Sequence, residues 1–285
     1  METALEIQRA EVAADIAALV AAHPGNQYFL DALEHVAGGR DLLYLLARYI
    51  HFNSIFSCGV ATLAGRIGVR QDLFRDPNEP SGSLFGDRSA EVGSQIFFAA
   101  IDEFGDHTLA RRGTHRSLAQ ATLRGAVQFF AMDEKEMRGP SLINDATRET
   151  MAQVEYGYGM TGDLDERRLL YGIGFHIASE TLADEEFCIL DAALRRRFPE
   201  LVGWLEDTQI GINGFQLPGY HWIRIHTTVE AEHSNAAFNA AELALKYYAG
   251  AHTSEGLKSW ILDGFRGFSD AQTCFMSGLL QPARG

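Results

Sequence analysis

Apolar residues recur at spacings of three and four along most of the chain, which is the pattern of amphipathic helices. Alternation of apolar and polar residues, the pattern of a half-buried strand, is nearly absent. The segments with helical periodicity are 4–22, 26–37, 41–65, 90–104, 114–131, 166–181, 184–196, 219–248 and 254–279. The pattern therefore predicts an all-α protein.

Gly, Pro, Asn and Ser cluster between these segments, as is typical of loops. The clusters are Asp76-Pro-Asn-Glu-Pro-Ser-Gly-Ser, Arg138-Gly-Pro-Ser, Glu155-Tyr-Gly-Tyr-Gly-Met-Thr-Gly and the stretch from Gly211 to Gly219. None is long enough or polar enough to link two domains, so we expect a single helical domain over residues 1–285.

Composition and charge narrow the class of protein. The chain has 285 residues, of which 46% are hydrophobic and 22% charged, as in ordinary globular proteins. A formal net charge of −14 argues against binding to nucleic acid or to an anionic membrane surface, because both need clustered Lys and Arg. The amino terminus lacks the features of a secretion signal, and no apolar run reaches about 18 residues, so we expect a cytoplasmic protein.

Cys58, Cys188 and Cys274 are widely separated and lie in apolar stretches of sequence. We therefore expect buried thiols in a reducing compartment, with neither a disulfide nor a zinc cluster.

His226, Glu230 and His233 lie on one face of the predicted 219–248 helix. At about 100° per residue, Glu230 is about 40° to one side of His226 and His233 about 20° to the other. Glu232 lies about 120° away and is expected to face solvent or a neighbouring helix. Two imidazoles and a carboxylate on an apolar face indicate a metal site; the alternative is a hydrogen-bonded set on the helix rim.

Iron or manganese that activates O2 is held by mixed imidazole and carboxylate ligands, so a second ion would need further carboxylates. Glu103 ends an apolar helical segment and is followed by His107 and His115. The alternatives are that Glu103 is a solvated residue at a helix end and that His115 is exposed in a first helical turn.

Glu180 follows an apolar run, with His176 one helical turn earlier. A lone carboxylate in such a run has little reason to be there without a partner. It could be a metal ligand, or it could cap a helix or pair with Arg167 or Arg168.

Other metal and nucleotide motifs fit less well. Ferritin-like proteins carry Glu-x-x-His motifs on two helices, whereas this chain has one, Glu230 to His233, so that fold is the second choice. The His-Glu-x-x-His motif of zinc proteases and the P-loop motif are both missing from the sequence.

Six motifs follow one another between residues 23 and 233. They are His23-Pro24, Arg48-Tyr49-Ile50-His51-Phe52, Asp102-Glu103-Phe104-Gly105, His115-Arg116-Ser117-Leu118, Ala178-Ser179-Glu180 and His226-x3-Glu230-x2-His233. In this order they resemble the heme-oxygenase-like diiron oxidases and oxygenases, a family of iron-containing redox enzymes.

The resemblance implies a heme-oxygenase-like helical bundle that binds two ferrous ions and O2. The implied metal ligands are Glu103, His115, Glu180, His226, Glu230 and His233. Two questions stay open: whether His107 replaces His115, and whether His176 joins the site. The stretch between Glu180 and His226 is longer than is usual in the family, which implies an inserted lid at residues 197–219.

The resemblance also implies an oxidoreductase of specialised, natural-product metabolism. Its small-molecule substrate would be an amine or amino acid, oxidised by N-oxygenation or oxidative C–C cleavage. An external electron donor and a homodimer are further expectations. Three alternatives remain: a fatty-acid decarboxylase of the same fold, a heme-binding (through His23) or cofactor-free oxidase, and a non-catalytic metal-binding protein.

Overall fold

The computed structural model describes residues 4–76, 87–105, 113–137 and 142–282, which are almost entirely helical. The α-helices are α1 (Ala4–Ala22), α2 (Gly25–His35), α3 (Gly39–Asn53), α4 (Phe56–Gly68), α5 (Arg88–Phe104), α6 (His115–Phe129), α7 (Asp145–Gly157), α8 (Glu166–Arg197), α9 (Pro199–Asp207), α10 (His221–Tyr247) and α11 (Ser254–Gly278). A 3-10 helix spans Glu134–Met137. Two short strands, β1 (Gln209–Ile212) and β2 (Phe215–Pro218), form an antiparallel hairpin. The prediction of an all-α protein is confirmed.

The long helix α8 forms the centre of the bundle. It packs along α11 on one side and along α10 on another. Helix α10 also contacts α5 and α6, and α5 lies along α4. The packing therefore brings α5 and α6, together with α8 from later in the sequence, against the same helix α10.

Two glycines allow the backbones of α8 and α11 to touch. A Cβ atom at Gly174 would collide with the carbonyl oxygen of Ile261 on α11. A Cβ atom at Gly264 would collide with the carbonyl oxygen of Tyr171 on α8. Any side chain at these positions would push the two helices apart.

The helices differ from the predicted ones in four places. The predicted 41–65 helix is divided into α3 and α4 at Ser54, whose hydroxyl donates to the carbonyl of His51 and so competes with helical hydrogen bonding. The predicted 166–181 and 184–196 segments are joined in the single helix α8. No helix was expected where α7 and α9 lie.

The hairpin lies in a stretch that was predicted to be a loop because of its glycines. Its turn consists of Asn213 and Gly214, with φ of 50° and 82°. Positive φ at both positions matches the two-residue turns that suit the twist of paired strands. Residues 197–219 thus contain α9 and the hairpin; that they act as a lid stays a prediction.

The prediction of buried thiols is wrong. Cys58 and Cys188 are exposed and Cys274 is half-buried; all three are free. Cys188 follows the buried Phe187, but one residue turns a helix by about 100°, so an apolar neighbour does not place a side chain in the core. No described helix is long and apolar enough to cross a bilayer.

Candidate metal centre

The carboxyl end of α5 meets the amino end of α6. The hydroxyl of Thr114 accepts a hydrogen bond of 3.1 Å from the backbone N–H of Ser117, and this cap makes His115 the first residue of α6. The His115 side chain is 3% exposed, and its Nδ1 lies 3.1 Å from Oε1 of Glu103 in the last turn of α5. Neither residue is the solvated helix-end group of the alternative interpretation.

The Nε2 atom of His226 is available as a metal ligand because the rest of the ring is held in place. Its Nδ1 donates to the backbone carbonyl of Trp222 at 2.7 Å, which leaves the lone pair on Nε2. The ring of Phe187 stacks on it at 4.1 Å between centroids. Burial, together with the nearby His115, lowers the pKa of His226 well below its usual value. The imidazole is therefore neutral at neutral pH, the form that binds metals.

Glu103, His115 and His226 form a potential ligand set. One ligand atom from each lies within 4.8 Å of the other two. The rings of His115 and His226 are 4.6 Å apart between centroids. Ligand atoms bound to one ion at about 2.1 Å are at most about 4.2 Å apart, so small side-chain movements would suffice to hold an ion. Two imidazoles and a carboxylate suit iron or manganese.

A second group of potential metal ligands comes from α5, α8 and α10. Nδ1 of His233 lies 3.4 Å from Oε2 of Glu180. Nε2 of His233 lies 3.1 Å from Oδ2 of Asp102, which precedes Glu103 on α5. This histidine therefore lies between two carboxylates from different helices. Glu180 is 8% exposed, and its position against His233 rather than Arg167 or Arg168 argues against the arginine pairing.

His176 lies behind Glu180, one turn earlier on α8. Its Nδ1 is 3.3 Å from Oε1 of Glu180 and 3.4 Å from the hydroxyl of Tyr158. Burial lowers the pKa of His176, so this ring is also neutral. Its buried Nε2 has no hydrogen-bond partner among the described residues. This nitrogen could accept a metal or a proton, and the question of whether His176 joins the site stays open.

One small cavity connects the two sets. It has a volume of about 40 Å³. Its polar walls comprise Asn53, Glu103, Ser179, Glu180, Glu186, His226 and His233. Its apolar walls include four phenylalanine rings, Phe52, Phe56, Phe187 and Phe268. Ligand-type side chains from three helices thus line one partly open cavity.

Of the predicted ligands, Glu103, His115, Glu180, His226 and His233 are brought together in this region. Helix α10 includes Glu230, but the side chain of this residue lies outside the described part of the structure, as does all of His107. Glu232 is exposed, as predicted.

The sequence interpretation missed two carboxylates at the site, Asp102 and Glu186. Asp102 was visible beside Glu103 but had no feature that distinguished it. Glu186 belongs to the acidic run Asp184-Glu185-Glu186, which resembles a solvated face. The signal for Glu186 was its helical spacing from Ser179 and Ala183, which places all three on one face of α8.

Comparison with known proteins identifies the fold. No family model and no curated protein matches the sequence. Two crystal structures of a CADD-like protein of unknown function from Nostoc punctiforme, at 2.00 and 1.35 Å resolution, are similar to this chain at 15% identity. The first gives a TM-score of 0.62 and covers 96% of this chain and 98% of that chain. The second gives 0.59, with 96% and 95% covered.

At this level of identity the likeness establishes the fold. The chain has the helical fold of the CADD-like protein over nearly its whole length. The prediction of a heme-oxygenase-like helical bundle is confirmed at the level of architecture.

Proposed function

We propose that this protein is a non-heme diiron enzyme that uses O2 to oxidise a small metabolite. The proposed substrate is an amine or amino acid, and the proposed reaction is N-oxygenation or oxidative C–C cleavage. The observation that carries the proposal is the approach of Glu103, His115 and His226 to within 4.8 Å of one another, beside the pair formed by Glu180 and His233.

The donor set of imidazoles and carboxylates fits iron. Structural zinc prefers thiolates, and no cysteine is among the residues that line the cavity; Mg²⁺ prefers oxygen ligands and water. The residues that would hold iron are Glu103, His115, Glu180, His226, Glu230 and His233. Iron bound in this way would supply the activation of O2.

The surrounding residues would prepare the site for that chemistry. The Trp222 carbonyl fixes the tautomer of His226, and the stacked Phe187 fixes its ring plane. Asp102 accepts from His233 and orients it in the same way. The phenylalanine rings around the cavity would limit the access of water, which protects an oxidising centre from side reactions.

The heme-binding alternative depends on His23. Nε2 of His23 donates a hydrogen bond to the side-chain carbonyl of Gln272. Binding of heme through this nitrogen would require that bond to break. The observation favours the imidazole–carboxylate site over His23 as the place where iron is held.

The proposal is tested by loading variants with ferrous iron under anaerobic conditions and then measuring iron content and O2 uptake in the presence of a panel of amines. His226→Ala and Glu180→Gln each remove one proposed ligand. We expect both variants to retain less than half of the wild-type iron and to lose amine-dependent O2 uptake.

His35→Ala is the matched control, because His35 is exposed at the end of α2 and contacts only the backbone of Asp31 among the described bonds. It should bind iron like the wild type. Wild-type iron content and O2 uptake in His226→Ala would refute the proposal. Iron binding without O2 uptake under any condition would instead favour a metal-binding protein without activity.

A further inference from the structure

Glu186 is a buried acid on the wall of the small cavity described above. The same cavity is lined by Glu103, Glu180, His226 and His233. Glu186 is 3% exposed. It lies on the face of α8 that faces this cavity, but nearly two helical turns beyond Glu180. The candidate metal ligands do not explain its presence, so its role must be sought in its own surroundings.

Both carboxyl oxygens of Glu186 accept hydrogen bonds from neutral donors. The hydroxyl of Tyr49 donates to Oε2 at 2.9 Å, and the side-chain amide of Gln272 donates to Oε1. The other end of Gln272 accepts from His23, which fixes the orientation of the amide. Donors on both oxygens hold the group in position as a hydrogen-bond acceptor.

No positively charged partner accompanies this acid among the described residues. The ion pairs of the described part of the chain do not include Glu186. Burial raises its pKa to about 7, although the bonds from Gln272 and Tyr49 oppose that shift. A desolvated carboxylate without a counter-charge is unfavourable, and a bound cation would relieve the cost.

The rest of the cavity also suits an organic cation. The rings of Phe52, Phe56 and Phe268 approach one another edge-on, with Phe52 and Phe56 5.2 Å and Phe56 and Phe268 6.0 Å apart between centroids. Aromatic faces attract ammonium groups, more so where water is excluded. A volume of about 40 Å³ accommodates an ammonium group with one or two carbons.

We propose that Glu186 binds the ammonium group of the substrate and so selects amines over neutral molecules of the same shape. The role of Glu186 in substrate selection rests on the proposed function, whereas the binding of an ammonium group to Glu186 does not require iron. A nitrogen held as ammonium has no lone pair, so the atom oxidised would be a carbon rather than the bound nitrogen. The proposal therefore favours oxidative C–C cleavage over N-oxygenation of that nitrogen.

Ethylammonium chloride is the test probe, and ethanol is its neutral match in shape. Their dissociation constants are measured by ligand-observed saturation-transfer NMR on the full chain, before and after anaerobic loading with ferrous iron. We expect ethylammonium to bind the wild type at least about tenfold more tightly than ethanol, as a charged hydrogen bond in a buried site implies.

Glu186→Gln removes the charge and keeps the size of the side chain. It should weaken ethylammonium binding about 10- to 100-fold and leave ethanol unchanged. Glu185→Gln is the matched control, because this exposed neighbour accepts from Asn26 through an oxygen that glutamine retains. It should bind both probes like the wild type.

Glu186→Asp retains the charge and should retain the preference for ethylammonium. If Glu186→Gln does not fold, as judged by circular dichroism, the wild-type preference and Glu186→Asp decide the question. Equal binding of the two probes to the wild type, or unchanged ethylammonium binding in folded Glu186→Gln, would overturn the proposal.

These outcomes separate the inference from the proposed function. If iron does not bind but Glu186 still selects ethylammonium, the diiron proposal fails and the amine site stands. If iron binds and O2 is consumed while both probes bind alike, the diiron proposal stands and the role of Glu186 is refuted.

Discussion

Glu186 is an acidic side chain that folding removes from water, so its protonation is linked to the stability of the protein. Its pKa is raised from 4.5 to about 7 by burial, with Tyr49 and Gln272 facing the carboxyl group. The folded protein thus binds a proton in a pH range where the unfolded chain does not. The stabilisation of the folded protein by this bound proton is complete below about pH 4.5 and is lost as the pH rises to about 7.

We predict that the difference in unfolding free energy between the wild type and Glu186→Gln depends on pH. From pH 4.5 to 8 the wild type should lose on the order of 3 kcal/mol relative to the variant. Urea denaturation of the metal-free proteins at several pH values measures this difference. Glu185→Gln changes an exposed acid and should follow the wild type; a constant difference for Glu186→Gln would show that Glu186 titrates normally.

Individual site residues were predictable where spacing sets them apart from their neighbours. His226 and His233 lie on one face of a helix at any reasonable choice of helix boundaries, and the structure brings both to the cavity. Asp102 and Glu186 were not predicted, because each lies beside other acidic residues and helical spacing alone does not show which of them is buried. That information lies in the packing of α5 and α8 against other helices.

Helices with a regular apolar stripe were predicted to within about two residues, as α5, α6 and α11 illustrate. Helix α7 was missed because its sequence, Asp145-Ala-Thr-Arg-Glu-Thr-Met, is mostly polar and the helix depends on its cap at Asn144 and on contacts with α11. The break predicted within α8 is absent because the acidic residues Asp184 and Glu185 lie on its exposed face. Tertiary contacts decide such cases, and local pattern does not.

The backbone contact between α8 and α11 leads to a prediction about the stability of the protein. Gly174→Ala would place a methyl group against the carbonyl of Ile261, so we expect a loss of unfolding free energy of about 2 kcal/mol or more. Gly203→Ala is the control, because a Cβ atom there meets nothing within 4 Å and alanine favours a helix by up to about 1 kcal/mol.

Chemical denaturation of the two variants measures both effects. Because α8 carries His176, Glu180 and Glu186, movement of this helix in Gly174→Ala should also weaken iron binding. Equal stability of Gly174→Ala and the wild type would mean that the two helices are not in backbone contact.

At the scale of the whole molecule, the candidate centre exists only because α10 contacts α5, α6 and α8. The proposed ligands are spread from residue 103 to residue 233, and no single segment contains a complete site. Motif order could therefore predict the fold and most residues of the candidate site, whereas the cavity and the other residues that line it required the three-dimensional arrangement. The shared fold of the CADD-like protein agrees with the predicted architecture.

The proposed function requires that this bundle hold two iron ions for a reaction with O2. The most direct measurement begins with anaerobic reconstitution of the wild type with ferrous iron and removal of unbound metal. Mass spectrometry then gives the number of irons per chain, and O2 uptake is recorded with and without amines. We predict two irons per chain and O2 uptake that an amine accelerates. One iron per chain, or none, would refute the diiron proposal.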